Sequence, residues 1–263
     1  MITRNQSKLI RKLRTRKRRE EGAFLAEGIR LVEELLASDV DVQLVISSSV
    51  LSETDRGRRL LELVKQSGLD HAEVGESELR ELADTEAPQG VLAVGREPQR
   101  QLSEYELTPH VPSAVLVFDR VADPGNLGTL FRTADALGVD WVVALPGTVD
   151  PWSPKVVRAS AGSIFRIPVS GAAWEEVQVW LRERDYTILC ADPSGEGTAR
   201  GGSSIVRFAL VLGNEPSGIS EEVCGDCDRR VAVELPGGMD SLNVAVAGAL
   251  LLDRLLTNLR GNA

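Results

Sequence analysis

Three segments gather glycines, asparagines and a few charges where chemistry is commonly placed. The first runs from Asp123 to Gly138, DPGNLGTLFRTADALG. Its turn residues lead into a helix, which puts Asn126 near the helix N-terminus. Arg132 follows six residues later, about 240° further around the helix, so the two do not share one face. A ligand capping the helix end could still touch both, because free amides there favour an anion. The second segment, Leu210 to Gly218, reads LVLGNEPSG. A strand closes on Gly213, then presents the carboxylate of Glu215 in a turn. The third, Val233 to Ala247, reads VELPGGMDSLNVAVA. A strand ends in a glycine loop, Ser241 is placed to cap a helix, and Asn243 lies in its first turn. Any one such turn is common among α/β proteins with no shared function.

Several chemistries are excluded. Gly195, Gly197, Gly201 and Gly202 lie in a polar loop with no helix at the spacing a dinucleotide fingerprint needs, and there is no phosphate-loop lysine. ATP and NAD are disfavoured. Cys224 and Cys227 form a CxxC without a second pair or a nearby histidine, so no metal site is expected. His71 and His110 have no glycine-rich or acidic setting, which argues against a histidine base.

The elements that must position these residues alternate. Strands are expected at Ala114–Phe118, Trp141–Leu145, Tyr186–Ala191, Phe208–Gly213 and Arg230–Leu235. Helices are expected over 126–137, 154–164, 173–183 and 241–259. Apolar strands alternating with helices imply an α/β fold with a mostly parallel sheet covered on both faces. Ligands then sit beyond the C-terminal strand ends. Upstream, Phe24–Leu36 has helical spacing. Strands at Val42–Ile46, Ala72–Val74 and Gly90–Val94, with helices over 52–67 and 76–83, make a smaller α/β unit. The division expected is 1–97, a proline-bearing linker 98–112, and 113–263.

The chain of 263 residues has a net charge of −9, with 43% hydrophobic and 26% charged residues. That balance suits a folded core. The charge is uneven: residues 1–20 hold nine Lys/Arg and a single acid, Glu20. A compact basic arm on an acidic chain is explained by a polyanionic partner. Aromatics are only 4%, too few for broad stacking platforms. No apolar run reaches the length of a membrane span, and the charged N-terminus does not read as an export signal. A cytoplasmic protein with no membrane partner is expected.

Together the segments resemble the three motifs of the SpoU (TrmH-like) RNA 2′-O-ribose methyltransferases. The pattern NxGxxxRxAxxxG is complete as Asn126, Gly128, Arg132, Ala134 and Gly138, and LGNExxG and SLNVAVA are intact. One departure is Val233-Glu234-Leu235, where the family usually has Ile-Pro-Met. The segment around Phe24–Glu34 resembles the RNA substrate-binding domain often fused to this family, similar to ribosomal protein L30e. Ser153–Gly162 resembles branches that modify ribosomal RNA.

The resemblance implies S-adenosylmethionine as methyl donor, no metal, a C-terminal deep trefoil knot, and a homodimer formed through the C-terminal domain. It implies donor contacts at Gly213, Val233 and Leu242, mostly through main chain. It implies a catalytic set of Arg132, Asn126, Glu215, Ser241 and Asn243. Arginine stays protonated in proteins, so Arg132 is better suited to hold a phosphate and stabilise a developing oxyanion than to act as a base. Glu215 is the alternative proton acceptor. RNA contacts are expected from Arg11, Arg14, Arg16, Lys17, Arg18 and Arg158. The substrate expected is structured RNA, 23S-type ribosomal RNA ahead of tRNA. A non-catalytic RNA-binding or assembly factor and an unrelated nucleotide enzyme are the alternatives.

Overall fold

A computed structural model describes residues 2–108, 111–197 and 205–261. His110, Gly201 and Gly202 therefore lie outside the described residues. The strands are β1 (Ala23–Glu27), β2 (Val42–Ser47), β3 (His71–Glu73), β4 (Val91–Arg96), β5 (Ser113–Asp119), β6 (Trp141–Ala144), β7 (Val169–Gly171), β8 (Thr187–Gly197), β9 (Arg207–Gly213) and β10 (Arg229–Ala232). The helices are α1 (Arg4–Leu13), α2 (Ile29–Leu36), α3 (Asp55–Gln66), α4 (Glu76–Leu82), α5 (Pro124–Leu137), α6 (Pro154–Ala159), α7 (Trp174–Arg182), α8 (Glu221–Gly225) and α9 (Val244–Gly261). They form two compact units. The first comprises Met1–Pro98 with Asp150–Arg166, the second Gln99–Val149 with Ile167–Ala263.

The first unit holds a four-stranded sheet of order β1-β4-β2-β3, in which only β2 and β3 run parallel. β1 is buried on both faces, which explains its run of apolar residues. Ala23 and Leu25 join Ile10 and Leu13 of α1 in the core. Phe24 faces the other way, with ring centroids 4.8 Å from Trp152 and 5.5 Å from Phe165. The expected helix over Phe24–Leu36 is thus a strand, a break and a helix. The break is Gly28, at a φ of +101°, which a side chain with a Cβ rarely adopts. Strand and helix residues laid end to end had mimicked one helical period. His71 ends on β3 beside Ser47 Oγ, at 2.8 Å, in a structural pairing.

The second unit is a six-stranded parallel sheet of order β10-β8-β9-β5-β6-β7. The chain leaves β5 toward β6 and β7, then returns to build β8, β9 and β10 on the other side. The switch point falls between β5 and β9, whose ends pair in register at Asp119 and Gly213. All seven residues of β5 are buried, as expected of a central strand covered on both faces. The stretch expected as a linker contributes to this core: Leu102 is buried, and the Tyr105 ring lies 5.3 Å from that of Trp141. Its prolines suggested a tether, whereas single apolar anchors fix it. Three further expectations shift. The helix over 154–164 ends at Ala159, followed by Gly162 at a φ of +96°. Gly195–Gly197 extend β8 against β10 after a register shift. The last strand ends at Ala232, leaving Val233–Leu235 beyond it. No helix among the described residues is long and apolar enough to cross a membrane.

Candidate active site

The three motif segments lie at the C-terminal strand ends. Asp123 caps α5, its side chain accepting from Asn126 N at 2.8 Å, with Pro124 at the first helical position. This leaves the side chain of Asn126 unused by the cap. Past β9, Asn214 and Gly218 exchange two main-chain hydrogen bonds, 3.1 and 2.9 Å, closing a tight turn with Glu215 at its tip. Past β10, a loop leads to α9. Here Asn243, not Ser241, caps the helix: its Oδ1 accepts from Ala245 N at 2.9 Å. The helix begins at Val244, so Ser241 lies in the loop, exposed.

The long-range contacts join these pieces. Asn126 Nδ2 donates to Glu215 Oε1 at 2.6 Å, and Asn243 Nδ2 donates to Asn126 Oδ1 at 2.9 Å. The amide orientations follow from chemistry. An ionised carboxylate only accepts, so Asn126 must turn its NH₂ to Glu215. Its oxygen then faces Asn243, whose own oxygen is left for the helix amides. The relay is consistent from carboxylate to helix cap. Arg132 is one and a half turns further along α5, exposed, and without a hydrogen-bonding or ionic partner among the described residues.

Beside the relay is a cavity of about 610 Å³. That lies within the usual range for small-molecule sites. Its walls include Gly213, Val233, Ser241 and Leu242. Four carboxylates face it, from Asp192, Glu215, Glu234 and Asp240, and among the described residues no Lys, Arg or His does. Asn126, Arg132 and Asn243 do not line it. The candidate catalytic residues therefore divide, with Glu215 and Ser241 touching the cavity and the rest beside it. A Cβ on Gly213 would lie 2.5 Å from the backbone of Gly218 and Ile219. Gly213→Ala must push the turn aside, so it is expected to weaken binding in this cavity about tenfold or more. Titration calorimetry against S-adenosylmethionine checks this.

The basic arm is only partly offered to a partner. On α1, Ile10 and Leu13 point inward, while Arg4, Lys8 and Arg11 recur on the outer face. Arg11 lies 3.5 Å from Glu81, and Arg14 donates to the Glu81 carbonyl at 2.8 Å. Arg16 and Lys17 begin the short 3-10 turn Arg16–Glu20, with Lys17 exposed. Arg18 corrects the sequence reading. It is 2% exposed and donates to Glu97, to Asp150 and to the Ala23 carbonyl. A guanidinium buried in this way is part of the core and is not presented to RNA. Arg158 is partly exposed and pairs with Asp84 at 3.1 Å. Internal acids, placed by the fold, thus relieve part of the repulsion in the arm. The residues that hold the site and were missed in the sequence are Asp119, Arg120, Asp123 and Asn214. Only Asp123 had a local signal, the Asp-Pro step ahead of the helix.

Comparisons with known proteins identify the family. Residues 113–253 match the SpoU rRNA Methylase family, and residues 4–93 match the MRM3-like substrate binding domain. The chain is 34% identical over 246 residues to the 23S rRNA (guanosine(2553)-2′-O)-methyltransferase RlmP of Bacillus subtilis, covering 93% of each. Its structure superposes on the SpoU methyltransferase AviRb of Streptomyces viridochromogenes, solved with AdoMet, at a TM-score of 0.87 and 26% identity, over 97% of this chain and 98% of that one. An AdoMet-bound rRNA methyltransferase from Sinorhizobium meliloti gives a TM-score of 0.85 and 28% identity, over 98% and 97%. On the family match and the identity across nearly the whole chain, this protein belongs to the SpoU rRNA methylase family.

Proposed function

We propose that this protein moves a methyl group from S-adenosylmethionine to a ribose 2′-hydroxyl of structured RNA, with 23S-type ribosomal RNA as the substrate. The observation that carries the reading is the Asn243–Asn126–Glu215 relay at the edge of an acidic cavity of about 610 Å³, with Arg132, exposed and without a partner among the described residues, on the same helix as Asn126. A cavity faced by carboxylates and by close-packed backbone suits a ligand that carries positive charge. Gly213, Val233 and Leu242 would hold the donor through main-chain groups. S-adenosylmethionine supplies an electrophilic methyl carbon on a sulfonium when bound.

The chain's own residues then have two tasks. Fixing the reactants in line can contribute up to about 7–11 kcal/mol. The 2′-hydroxyl must also be made a better nucleophile. Arg132 binds the neighbouring phosphate and stabilises negative charge as it grows on the ribose oxygen. Glu215 accepts the proton, with Asn126 and Asn243 setting its orientation and Ser241 holding the loop side of the ribose. The C-terminal loops are assigned to a trefoil knot. The working form is a homodimer through the second unit, where Val246 and Leu250 leave an apolar stripe on α9 partly exposed. The protein acts in the cytoplasm.

Transfer of tritium from labelled donor into ribosomal RNA tests the activity, and ribose-methylation mapping in a deletion strain identifies the nucleotide. RNA binding without transfer would instead favour an assembly factor. The arm gives an independent expectation. Replacing Arg11, Arg14 and Lys17 together by glutamine should reduce the slope of log affinity against log salt by about two to three. Arg18→Met should leave that slope unchanged.

A further inference from the structure

Arg120 follows the buried Asp119 at the end of β5, with a φ of +59°. A residue with a long side chain is strained in this left-handed region, which glycine occupies freely. Such strain persists only where surrounding contacts enforce it, and it gathers at functional sites. The contacts here are several. Arg120 N donates to Thr148 Oγ1 at 3.0 Å, and its carbonyl accepts from Asn214 Nδ2 at 2.9 Å. Its guanidinium donates from Nε to Asp119 Oδ1 at 3.2 Å and from Nη2 to the Gly218 carbonyl at 3.4 Å. The other oxygen of Asp119 accepts from Ser220 N at 2.5 Å. The stem of Arg120 also passes so near Gly147 that a Cβ there would lie 2.9 Å from Arg120 Cγ. Arg120 therefore grips both ends of the turn that carries Glu215. Asn214 and Gly218 line the cavity, while Arg120 itself does not.

We propose that Arg120 is a positioning residue for methyl transfer: it clamps the Asn214–Gly218 turn, so that the cavity wall stays closed and Glu215 stays in reach of Asn126. The inference rests on the reading of the cavity as the donor site. Strain and clamp act in opposite directions on one residue, and glycine separates them. Both Arg120→Gly and Arg120→Ala remove the side-chain contacts to Asp119 and Gly218 and keep the main-chain bond to Asn214, but only Arg120→Gly also relieves the strain.

The test compares the two variants with the unchanged protein in melting temperature, donor affinity and single-turnover methylation. Arg120→Gly is expected to melt at or above the unchanged protein while binding S-adenosylmethionine about tenfold or more weakly. Arg120→Ala should lose similar affinity and melt below Arg120→Gly. Hydrogen exchange at the Asn214 and Gly218 amides should speed up in both variants, a readout that needs no donor. Unchanged affinity, rate and exchange in both variants overturn the proposal. So does an Arg120→Gly protein that loses affinity only in step with a lower melting temperature. If the unchanged protein fails to bind donor, the reading of the cavity falls, and exchange alone still decides the clamp.

Discussion

Arg132→Ala is expected to slow methyl transfer about 10²–10³-fold, the usual effect of deleting one donor to a developing oxyanion. Donor affinity should not change with it. Arg132 does not line the cavity and has no partner among the described residues, so its removal relaxes no neighbour. A large fall in rate with constant donor affinity therefore reports a contact made to RNA and to the reacting oxygen. Arg132→Lys keeps the charge but loses the planar fork that binds a phosphate through two parallel hydrogen bonds. It should recover only part of the rate. The pH profile adds a separate check. Arginine stays protonated throughout the accessible range, so any acid limb in the rate belongs to another group. Arg132→Lys should therefore leave the acid side of the profile unmoved. Single-turnover rates at saturating donor, with calorimetry for affinity, measure all of this. Full activity in Arg132→Lys would rule out two-point phosphate contact, and full activity in Arg132→Ala would remove Arg132 from the mechanism.

The largest expected loss of stability is at Asp150. Arg18 is 2% exposed, and Asp150 takes hydrogen bonds from both its Nε and its Nη2, while Glu97 takes one from Nη1 at 2.6 Å. Removing one partner of a buried ion pair costs about 3–5 kcal/mol, because the remaining charge is left without compensation. The carboxylates are about one-fifth exposed and Glu97 remains, so Asp150→Ala should fall at the low end, about 3 kcal/mol. Replacing all three charges together, Arg18→Met with Glu97→Met and Asp150→Leu, should cost much less, since apolar side chains then remove the charges together with their desolvation penalty. Urea unfolding followed through Trp152, which packs on Phe24 in the same unit, measures the difference. Equal losses in the two variants would show that packing, not the unpaired cation, sets the cost.

The methylase signature was legible because its determinants are local. Asn126, Gly128, Arg132, Ala134 and Gly138 sit within one turn-and-helix segment, and each of the other two motifs is equally short. Hydrophobic runs placed the central strands, since a strand buried on both faces has no polar residues to confuse it. Where a strand and a helix abut without a polar break, as at Phe24–Leu36, the same rule failed, and only the backbone at Gly28 separates them. Ser241 was expected as the cap with Asn243 in the first turn, although both residue types can cap a helix. The choice between them depended on where the helix axis starts, which packing of α9 decides.

The amino-acid order by itself thus determined the parallel α/β architecture, the motif residues and the presence of a basic arm, since each is written in neighbouring positions. Tertiary structure alone decided how those residues pair. Glu215 and Asn126 are 89 positions apart, Asn243 and Asn126 117 apart, and Arg18 and Asp150 132 apart. Composition treats Arg18 and Arg132 alike, as cations. The fold buries one between two carboxylates and leaves the other in solvent, and a guanidinium's function follows from which of those environments it is given.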